Sequence, residues 1–555
     1  MRRFTLFTPQ SRVVFLAALF IMLTGNRELF ERLLEVYPLN LANLPFLISL
    51  GLFFTLATML FMLAVTPGRL GRWVLALLLL AASQAAYYMD QYGVVIDTVM
   101  LDNVFATNAQ EAAALMSWSL AWRTLLFGLL PAWLAWRYWP KAESPWRELK
   151  ARLVLALALI IALIAIVAPF TAGYASFIRE HKMTRMYANP TFFTWSALSY
   201  IGQKFKHPYS GELTQVAQDA RKLDPIHHYE LAVLVVGETA RADRFSLNGY
   251  PRETNPLLAR EDVVSMTNAS SCGTSTGESV PCMFSVMKRA HFDREQAQHI
   301  ENALDVLFEN GVQILWRDNN SDSKGVATRM EYQDFKSPAL NPACDDGECR
   351  DVGMLAGLDD YITKHKGHDI LIVLHQMGNH GPEYYRRYPK EFERFTPACK
   401  SSELRDCTRE EIDNAYDNAI LYTDYFLAQV IAFLKKYDDE YETAMLYVSD
   451  HGESLGEHGI YLHAAPYLIA PKEQTHIPAI VWMGKNFDFS SDQLRPYRSY
   501  PVSHDDLFCT LLAGYEIDTE MCNGPRNILY ENAELRQAAR AEVVAASKRR
   551  NNNPE

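Results

Sequence analysis

No cysteine occurs before residue 272, and no CxxC pair occurs anywhere in the 555-residue chain. The second absence excludes a zinc site built from closely spaced thiolates. Eight cysteines in a chain of this length are too few for a small disulfide-stapled scaffold. Bulk positive charge is missing too: 53 Lys and Arg stand against 65 Asp and Glu, a formal net charge of -12. That balance argues against nucleic acid as a partner, which needs a concentrated basic face. Apolar residues make up 49% of the chain and charged ones 21%, which excludes a mainly disordered protein. Length alone suggests roughly three or four domains. A mean hydropathy of -0.11 looks like an ordinary soluble protein until the chain is read locally.

Five apolar runs precede residue 175, at 13–23, 41–65, 73–88, 120–136 and 153–173. A bilayer core about 30 Å thick needs about 20 mostly apolar residues in a helix. The second and fifth runs meet that requirement, while the third and fourth are shorter and carry Gln84 and Arg123. Run 13–23 follows Arg2 and Arg3 but has no clear small-residue cleavage site. It is expected to be a span extending toward Leu34. Arg2, Arg3, Arg12, Arg69, Arg72, Arg137, Lys141, Arg147, Lys150 and Arg152 fall in one set of flanking loops. The alternate loops carry Glu28, Glu31, Glu35, Asp90, Asp97, Asp102 and Glu111. Positive loops stay inside, so five spans with an inner N-terminus put everything after Gly173 outside. In a bacterium that is the periplasm, with the chain in the inner membrane.

Three regions are therefore expected: an all-α five-helix transmembrane domain at 1–173, a polar and aromatic connector at 174–228, and an outer domain at 229–555. The connector is expected to lie along the membrane surface and pack on both domains. All eight cysteines fall in the outer domain, where oxidation is possible. Short loops favour Cys272–Cys282, Cys344–Cys349 and Cys399–Cys407 as disulfides. Cys509 and Cys522 remain, and their spacing does not decide whether they pair.

From Tyr229 onward short apolar strands alternate with helical segments. Residues 231–236, 312–316, 370–375, 445–449 and 480–483 read as strands, and 413–436 as a long amphipathic helix. This pattern predicts an α/β domain with a largely parallel sheet. In such sheets functional groups gather where strands end at their carboxyl edges. The first of these strands ends in Gly237-Glu238-Thr239, and another in Asp450-His451-Gly452-Glu453. The remaining exits lead into Gly378-Asn379-His380-Gly381-Pro382 and Arg317-Asp318-Asn319-Asn320. Glu238, Asp450 and His451 offer two oxygens and a nitrogen, a set that suits Zn²⁺. Thr276 is the candidate fourth ligand, because a metal-bound hydroxyl loses its proton readily and can attack phosphorus. His458 and His476 read as surface or structural histidines.

Long strings around these residues resemble the lipid A phosphoethanolamine transferases of Gram-negative bacteria, the EptA and mobile colistin-resistance family. They are Gly237-Glu238-Thr239-Ala240-Arg241, Asn248-Gly249-Tyr250-Pro251-Arg252-Glu253-Thr254-Asn255-Pro256, and Ser271-Cys272-Gly273-Thr274-Ser275-Thr276 with Ser279-Val280-Pro281-Cys282-Met283-Phe284-Ser285. Others are Trp316-Arg317-Asp318-Asn319-Asn320-Ser321-Asp322-Ser323-Lys324-Gly325, His375-Gln376-Met377-Gly378-Asn379-His380-Gly381-Pro382, and Ser449-Asp450-His451-Gly452-Glu453 with Gly459-Ile460-Tyr461-Leu462-His463. The resemblance covers nearly the whole chain. It implies an outer domain of alkaline phosphatase/sulfatase-like type, with one Zn²⁺ on Glu238, Thr276, Asp450 and His451. It implies Thr276 as nucleophile, with His380 and His463 as catalytic groups able to hold a phosphate or a second zinc. Asn320, Ser321, Lys324 and Glu453 fall at substrate-contact positions. Asn103, Thr107 and Glu111 resemble a segment implicated in holding the donor lipid. Gly277-Glu278 and His458 depart from the family pattern without removing a ligand.

The implied reaction moves phosphoethanolamine from phosphatidylethanolamine to a lipid A phosphate through a covalent Thr276 intermediate. A monomer is expected. The outcome would be polymyxin and colistin resistance, because added ethanolamine lowers the negative charge of lipid A. Alternatives on the same residues are transfer to a Kdo or heptose sugar of the lipopolysaccharide core, and a sulfatase-like phosphodiesterase. A transporter or envelope scaffold needs none of the Glu238, Thr276, Asp450 and His451 set.

Overall fold

A computed structural model of the chain describes residues 7–107, 112–113, 115–142, 144–206, 213–223, 228–345, 347–488 and 490–522. It divides into two compact units. One comprises Met1–Phe105 with Gln110–His207, and the other Ala106–Ala109 with Pro208–Glu555. The first is helical and the second α/β.

All five apolar runs fold as helix. Leu44–Val65, Gly71–Tyr92 and the continuous stretch Pro145–Glu180 are each long and apolar enough to cross a membrane. The first run differs from expectation. Helix Pro9–Thr24 stops at Gly25, and helix Arg27–Val36 leaves at a bend of 58°, so no straight span continues toward Leu34. The cause is a knot of amides. Asn26 Nδ2 donates to the carbonyls of Ile21 (3.1 Å) and Asn189 (2.8 Å), and Asn189 Nδ2 donates to Gly25 and Ala82 (both 2.8 Å). Counted together, the bent pair makes a fourth candidate span.

The fourth run is helical from Trp118 to Arg137 but passes through a π turn at Thr124–Leu129. Side chains entering a backbone ladder are a usual cause of such turns. Here Ser83 Oγ donates to the Arg123 carbonyl (3.2 Å), Gln84 Nε2 to Thr124 Oγ1 (2.8 Å), and the Arg123 guanidinium to Asp90 (2.5 Å). Much of the expected connector is helical, with helices Thr171–Glu180, Lys182–Met186 and Thr191–Lys206. Tyr187 and Asn189 are buried in the helical unit. A buried carboxylate ties three helices of this unit together. Glu148 Oε1 accepts from Arg152 Nε (3.0 Å) and Thr8 Oγ1 (2.8 Å), while Arg152 also reaches the Leu63 carbonyl (2.9 Å) and Gln10 Oε1 (3.2 Å).

The α/β unit is built on an eight-stranded sheet. Its strands are β1 (Tyr229–Gly237), β2 (Val263–Ser270), β3 (Gln313–Asp318), β4 (Glu331–Asp334), β5 (Ile370–His375), β6 (Tyr441–Ser449), β7 (His476–Met483) and β8 (Val502–Ser503). They lie in the order β8-β2-β7-β6-β1-β5-β3-β4. Only β7 runs against its neighbours, β2 and β6; all other pairs are parallel. Two reversals cancel, so β2 points the same way as β6 and β1.

The central strands β1, β5 and β7 are largely apolar because both faces of the sheet are covered. Along β1, Val233 and Val235 face one core while Leu234 and Val236 face the other. The first core is closed by Ile412, Tyr416, Ile420, Phe426 and Ile431 of helix Arg409–Leu434. The second is closed by Val280, Met283 and Phe284 of helix Thr276–Phe284, with Leu304, Leu307, Phe508 and Leu512. Each fully buried side chain of this size contributes roughly 1.5–3 kcal/mol. Strands β2, β4 and β8 escape a sequence pattern. β2 turns polar halfway, β4 is a mostly exposed edge, and β8 has two residues. The three short-loop disulfides form, and Cys509–Cys522 forms as well.

Replacing Glu148 by Ala leaves the Arg152 guanidinium buried without its carboxylate. This should cost about 3 kcal/mol in the stability of the full chain in detergent, with a smaller loss for Glu148→Gln. Thermal unfolding read through the helical signal checks both.

Candidate active site

Strand register alone brings Glu238 and Asp450 together. β1 and β6 pair in parallel with Gly237 opposite Ser449, so the next residue of each strand leaves the sheet beside the other. His451 follows at once. Ligand atoms of Glu238, Asp450 and His451 all lie within 4.8 Å of one another, and all three residues are fully buried. Among the described residues, Glu238 Oε1 and Asp450 Oδ2 have no hydrogen-bond partner. His451 Nδ1 sits 2.9 Å from the Gly452 carbonyl, so it carries the ring proton. The bare Nε2 then faces Asp450 Oδ2 at 3.3 Å and Glu238 Oε1 at 3.5 Å. Three sets of lone pairs converge there, with the Thr276 hydroxyl as a donor beside them, 3.3 Å from Nε2. That arrangement fits a cation, and this group could hold a metal ion.

Titration tells the same story. Burial, and then Asp450, pushes the Glu238 carboxyl well above its ordinary value. Burial raises Asp450 from 3.8 to about 7 and drives His451 well below the ordinary imidazole value. The metal-free group resists ionising, which a bound cation would reverse. A second cluster, Cys272, Cys282 and Asp505, is no rival, because its sulfurs are joined in a disulfide.

Thr276 completes the group from β2, whose exit lies at the same sheet edge. It is the first residue of helix Thr276–Phe284, after an extended Ser275. Its Oγ1 lies 2.9 Å from Glu238 Oε2 and 3.3 Å from His451 Nε2. The turn before it is braced on three sides. Cys272–Cys282 staples it to the helix. Thr274 Oγ1 donates to the Ala465 carbonyl (2.7 Å). His504 accepts the Cys272 N–H at Nδ1 (3.0 Å) and reaches the Ser449 carbonyl with Nε2 (2.9 Å). His504 thus links the Thr276 turn to the end of β6, a role that its position near the chain's end does not announce.

Two further histidines line the group. The His463 ring centroid is 4.6 Å from that of His451 and 5.8 Å from that of His380. His463 Nδ1 pairs with Glu453 Oε2 at 3.2 Å, and Tyr384 donates to Glu453 Oε1 at 3.0 Å. Burial lowers the His463 value, but Glu453, Glu238 and Asp450 outweigh it and lift the imidazole to about 9. His380 moves the other way, well below its ordinary value, through burial and then Arg387 and His463. Its Nδ1 is buried with no partner among the described residues.

Asn320 stands behind the carboxylates: its Nδ2 donates to Glu238 Oε2 (2.6 Å) and to the Gln376 carbonyl (3.0 Å). Glu453 is likewise occupied, by His463 and Tyr384. Lys324 is buried, with Nζ 3.5 Å from Asp322, and its charge is felt at His380. Ser321 lies on the same loop, half-buried. Asn103 and Thr107 lie on and just after helix Thr98–Ala106, while Glu111 falls outside the described residues. His476 is structural, bonded to the Thr267 carbonyl at 2.9 Å.

The backbone is strained where these side chains are aimed. Thr239, Lys324, Leu462 and Ala464 have φ of 51°, 50°, 62° and 66°, the left-handed region that costs roughly 1–3 kcal/mol per non-glycine residue. Leu462 and Ala464 flank His463, and Thr239 follows Glu238. Gly378, at φ 50°, passes so close that a Cβ would lie 2.8 Å from the Glu238 carbonyl. Asp351, unsignalled in the sequence, fixes that loop by accepting from Met377 N, Gly378 N, Gln376 Nε2 and Asn319 Nδ2.

Residues 230–515 match the sulfatase family model. With a carboxylate–imidazole group at the carboxyl edge of its sheet, the α/β unit is a sulfatase-type domain. Residues 53–205 match the model described as phosphoethanolamine transferase EptA/EptB. Phosphatidylethanolamine transferase Mcr-2 of Escherichia coli is 41% identical over 516 residues, covering 90% of this chain and 94% of that protein. Phosphoethanolamine transferase EptA of Escherichia coli K12 is 37% identical over 536 residues, covering 93% and 95%. The solved lipooligosaccharide phosphoethanolamine transferase A (EptA) from Neisseria meningitidis matches with a TM-score of 0.90 at 33% identity, covering 94% of this chain and 99% of that one. The chain belongs to the EptA/EptB phosphoethanolamine transferase family.

One pH dependence follows from the raised Asp450. In metal-stripped protein the unfolded chain ionises this carboxyl from 3.8, while the fold keeps the proton to about 7. Stability is therefore greatest at low pH on this account and falls as pH rises across that window. Asp450→Asn should flatten the decline, and denaturant midpoints measured along the pH series check it.

Proposed function

We propose that the chain transfers phosphoethanolamine from phosphatidylethanolamine to a phosphate of lipid A. It would work as a monomeric multi-pass protein of the bacterial inner membrane, with 1–173 in the bilayer, 174–228 along its surface and 229–555 in the periplasm. The observation that carries this reading is the Thr276 hydroxyl, held 2.9 Å from Glu238 at the edge of a buried carboxylate–imidazole group whose Glu238 Oε1 and Asp450 Oδ2 have no partner among the described residues. The relatives named phosphatidylethanolamine and phosphoethanolamine transferases support the transferred group. Oxidised cysteines in the α/β unit support an external compartment.

Glu238, Asp450, His451 and Thr276 would hold one Zn²⁺, which supplies Lewis-acid charge and eases loss of the Thr276 proton. Thr276 Oγ1 attacks the donor phosphorus, forming a P–O bond as the bond to diacylglycerol breaks. The Thr276 proton has Glu238 Oε2 as its nearest acceptor. His463, kept protonated by Glu453, is the cation and acid for the departing diacylglycerol oxygen. His380, kept neutral by burial, is the complementary acceptor. Two imidazoles pushed in opposite directions are what acid–base division of labour requires. Lys324 adds positive charge for the phosphoryl oxygens. A lipid A phosphate then attacks the phosphothreonine, and the threonine oxygen leaves. That acceptor is already anionic and needs no base. A second zinc near His380 and His463 would compete with the acid role of His463. Asn320 and Glu453 act by holding Glu238 and His463, and Ser321 stands with Lys324 on the substrate side. Asn103, Thr107 and Glu111 would steady the donor lipid.

Expression in a polymyxin-susceptible host should add the mass of one phosphoethanolamine group to lipid A and raise polymyxin tolerance. Thr276→Ala should abolish both, as read by mass spectrometry. Unmodified lipid A beside well-expressed wild type would overturn the acceptor, and a modified core sugar would redirect it. Glu453→Gln should lower kcat by about tenfold or more, and should shift the basic limb of the rate profile downward as His463 loses its carboxylate. The same readout in His463→Ala should show that limb removed.

A further inference from the structure

We propose that the tip of the loop at residues 466–471 is a lipid contact, seated at the hydrocarbon boundary of the phospholipid bilayer. Its centre, Leu468, is 94% exposed. Among the described residues of the α/β unit, every other exposed large hydrophobic side chain lies at 51% or below. Comparable exposure occurs in the helical unit, at Leu41 (89%) and Trp118 (82%). A lone exposed leucine is ordinary on a protein surface. This one differs in how it is held and in what surrounds it.

The tip is a braced turn. Residues Tyr467–Ile469 form a single helical turn between Pro466 and Pro471, closed by Ile469 N–H on the Pro466 carbonyl at 2.9 Å. Its base is bolted to the Thr276 turn. Ala464 N–H donates to the Thr274 carbonyl (2.7 Å), Thr274 Oγ1 to Ala465 (2.7 Å), and Tyr467 OH to the Ser271 carbonyl (2.9 Å). Gln474 closes the other side, accepting from Ala465 N–H (3.1 Å) and donating to the Leu462 carbonyl (3.1 Å). These bonds fix the base of the turn, and Leu468 projects from it into the open.

The surroundings have the chemistry of a membrane interface. Tyr467 lies beside the tip with the Arg289 guanidinium stacked 4.2 Å from its ring centroid, and Lys472 is exposed just beyond Pro471. The acids nearby are Asp505, which accepts the Arg289 backbone N–H, Glu278, which is felt at Tyr467, and half-buried Glu473 beside Lys472. An apolar tip above an aromatic ring and cations matches the layering of hydrocarbon, headgroup and phosphate. Leu468 lies five positions beyond His463 in the chain, a reach of at most about 18 Å. A seated tip would hold the Thr276 turn at a fixed height over the headgroup phosphates. That consequence rests on the proposed lipid substrates; the contact itself does not.

The test uses the full chain in nanodiscs of phosphatidylethanolamine and phosphatidylglycerol. The eight native cysteines are paired, so Leu468→Cys can carry a nitroxide label selectively. Power saturation should show more collision with dissolved oxygen than with a water-soluble nickel chelate, as for Ile161→Cys on helix Pro145–Val167. Leu340→Cys, elsewhere on the α/β unit, should show the reverse. A nickel-dominated signal at 468 overturns the proposal. Shielding from both agents also overturns it, and points to a protein partner or a second copy.

The kinetic arm compares a vesicle-borne donor with water-soluble nitrophenyl phosphoethanolamine. Leu468→Asp should raise KM for the vesicle donor by about tenfold and leave the soluble ester within about twofold. Equal loss on both, or loss on neither, overturns the proposal. If wild type transfers nothing, the proposed function fails while the accessibility result still decides the contact.

Discussion

Glu238 and Asp450 are two buried carboxyl groups whose inner oxygens meet no protein donor among the described residues, set side by side by one pair of facing strands. Burying an unpaired carboxylate costs several kcal/mol, and burying two next to each other costs more. A fold can carry that arrangement only if the rest of the structure holds the residues in place until a cation answers them. Much of the α/β unit does so. Asn320 pins Glu238, Asp351 gathers the loop that carries Gly378 against it, and Thr239 accepts a left-handed backbone to turn the chain away. The hydrophobic layers on both faces of the sheet supply the stability against which this strain is set.

The same constraint organises the histidines. His451 keeps its proton on the side away from the carboxylates, so its free nitrogen joins their lone pairs. His463 carries its own carboxylate, Glu453, and so keeps a proton that His380 lacks. A cation between Glu238 and Asp450 would remove their pull on His463 but leave that of Glu453 untouched. The acid–base contrast between the two outer rings thus depends on a residue set apart from the carboxylate group.

How much of this was legible beforehand can be judged element by element. β1, β5 and β6 are continuous apolar runs, and their exits could be read as one site because parallel strands present their carboxyl ends together. The partner strand β2 was missed because its second half is polar, although it delivers Thr276. The bend at Gly25–Asn26 was missed because it depends on Asn189, more than 160 residues away. Long-range hydrogen bonds leave no local pattern. For the same reason His504 and Asp351 give no signal, while motif strings mark Asn320 and Glu453 without disclosing their protein partners. Both face neighbouring protein groups, Glu238 and His463, which only the folded geometry reveals.

The four disulfides join cysteines in strict chain order: first with second, third with fourth, fifth with sixth, seventh with eighth. Each loop closes within 5 to 13 residues, so no bridge encloses another. A chain threading outward through a membrane presents each pair before the next one arrives. An oxidant that joins thiols as they emerge therefore makes the native set directly, and no later exchange between bridges is required. The Thr276 turn would be stapled while most of the sheet that will complete its site has yet to be delivered.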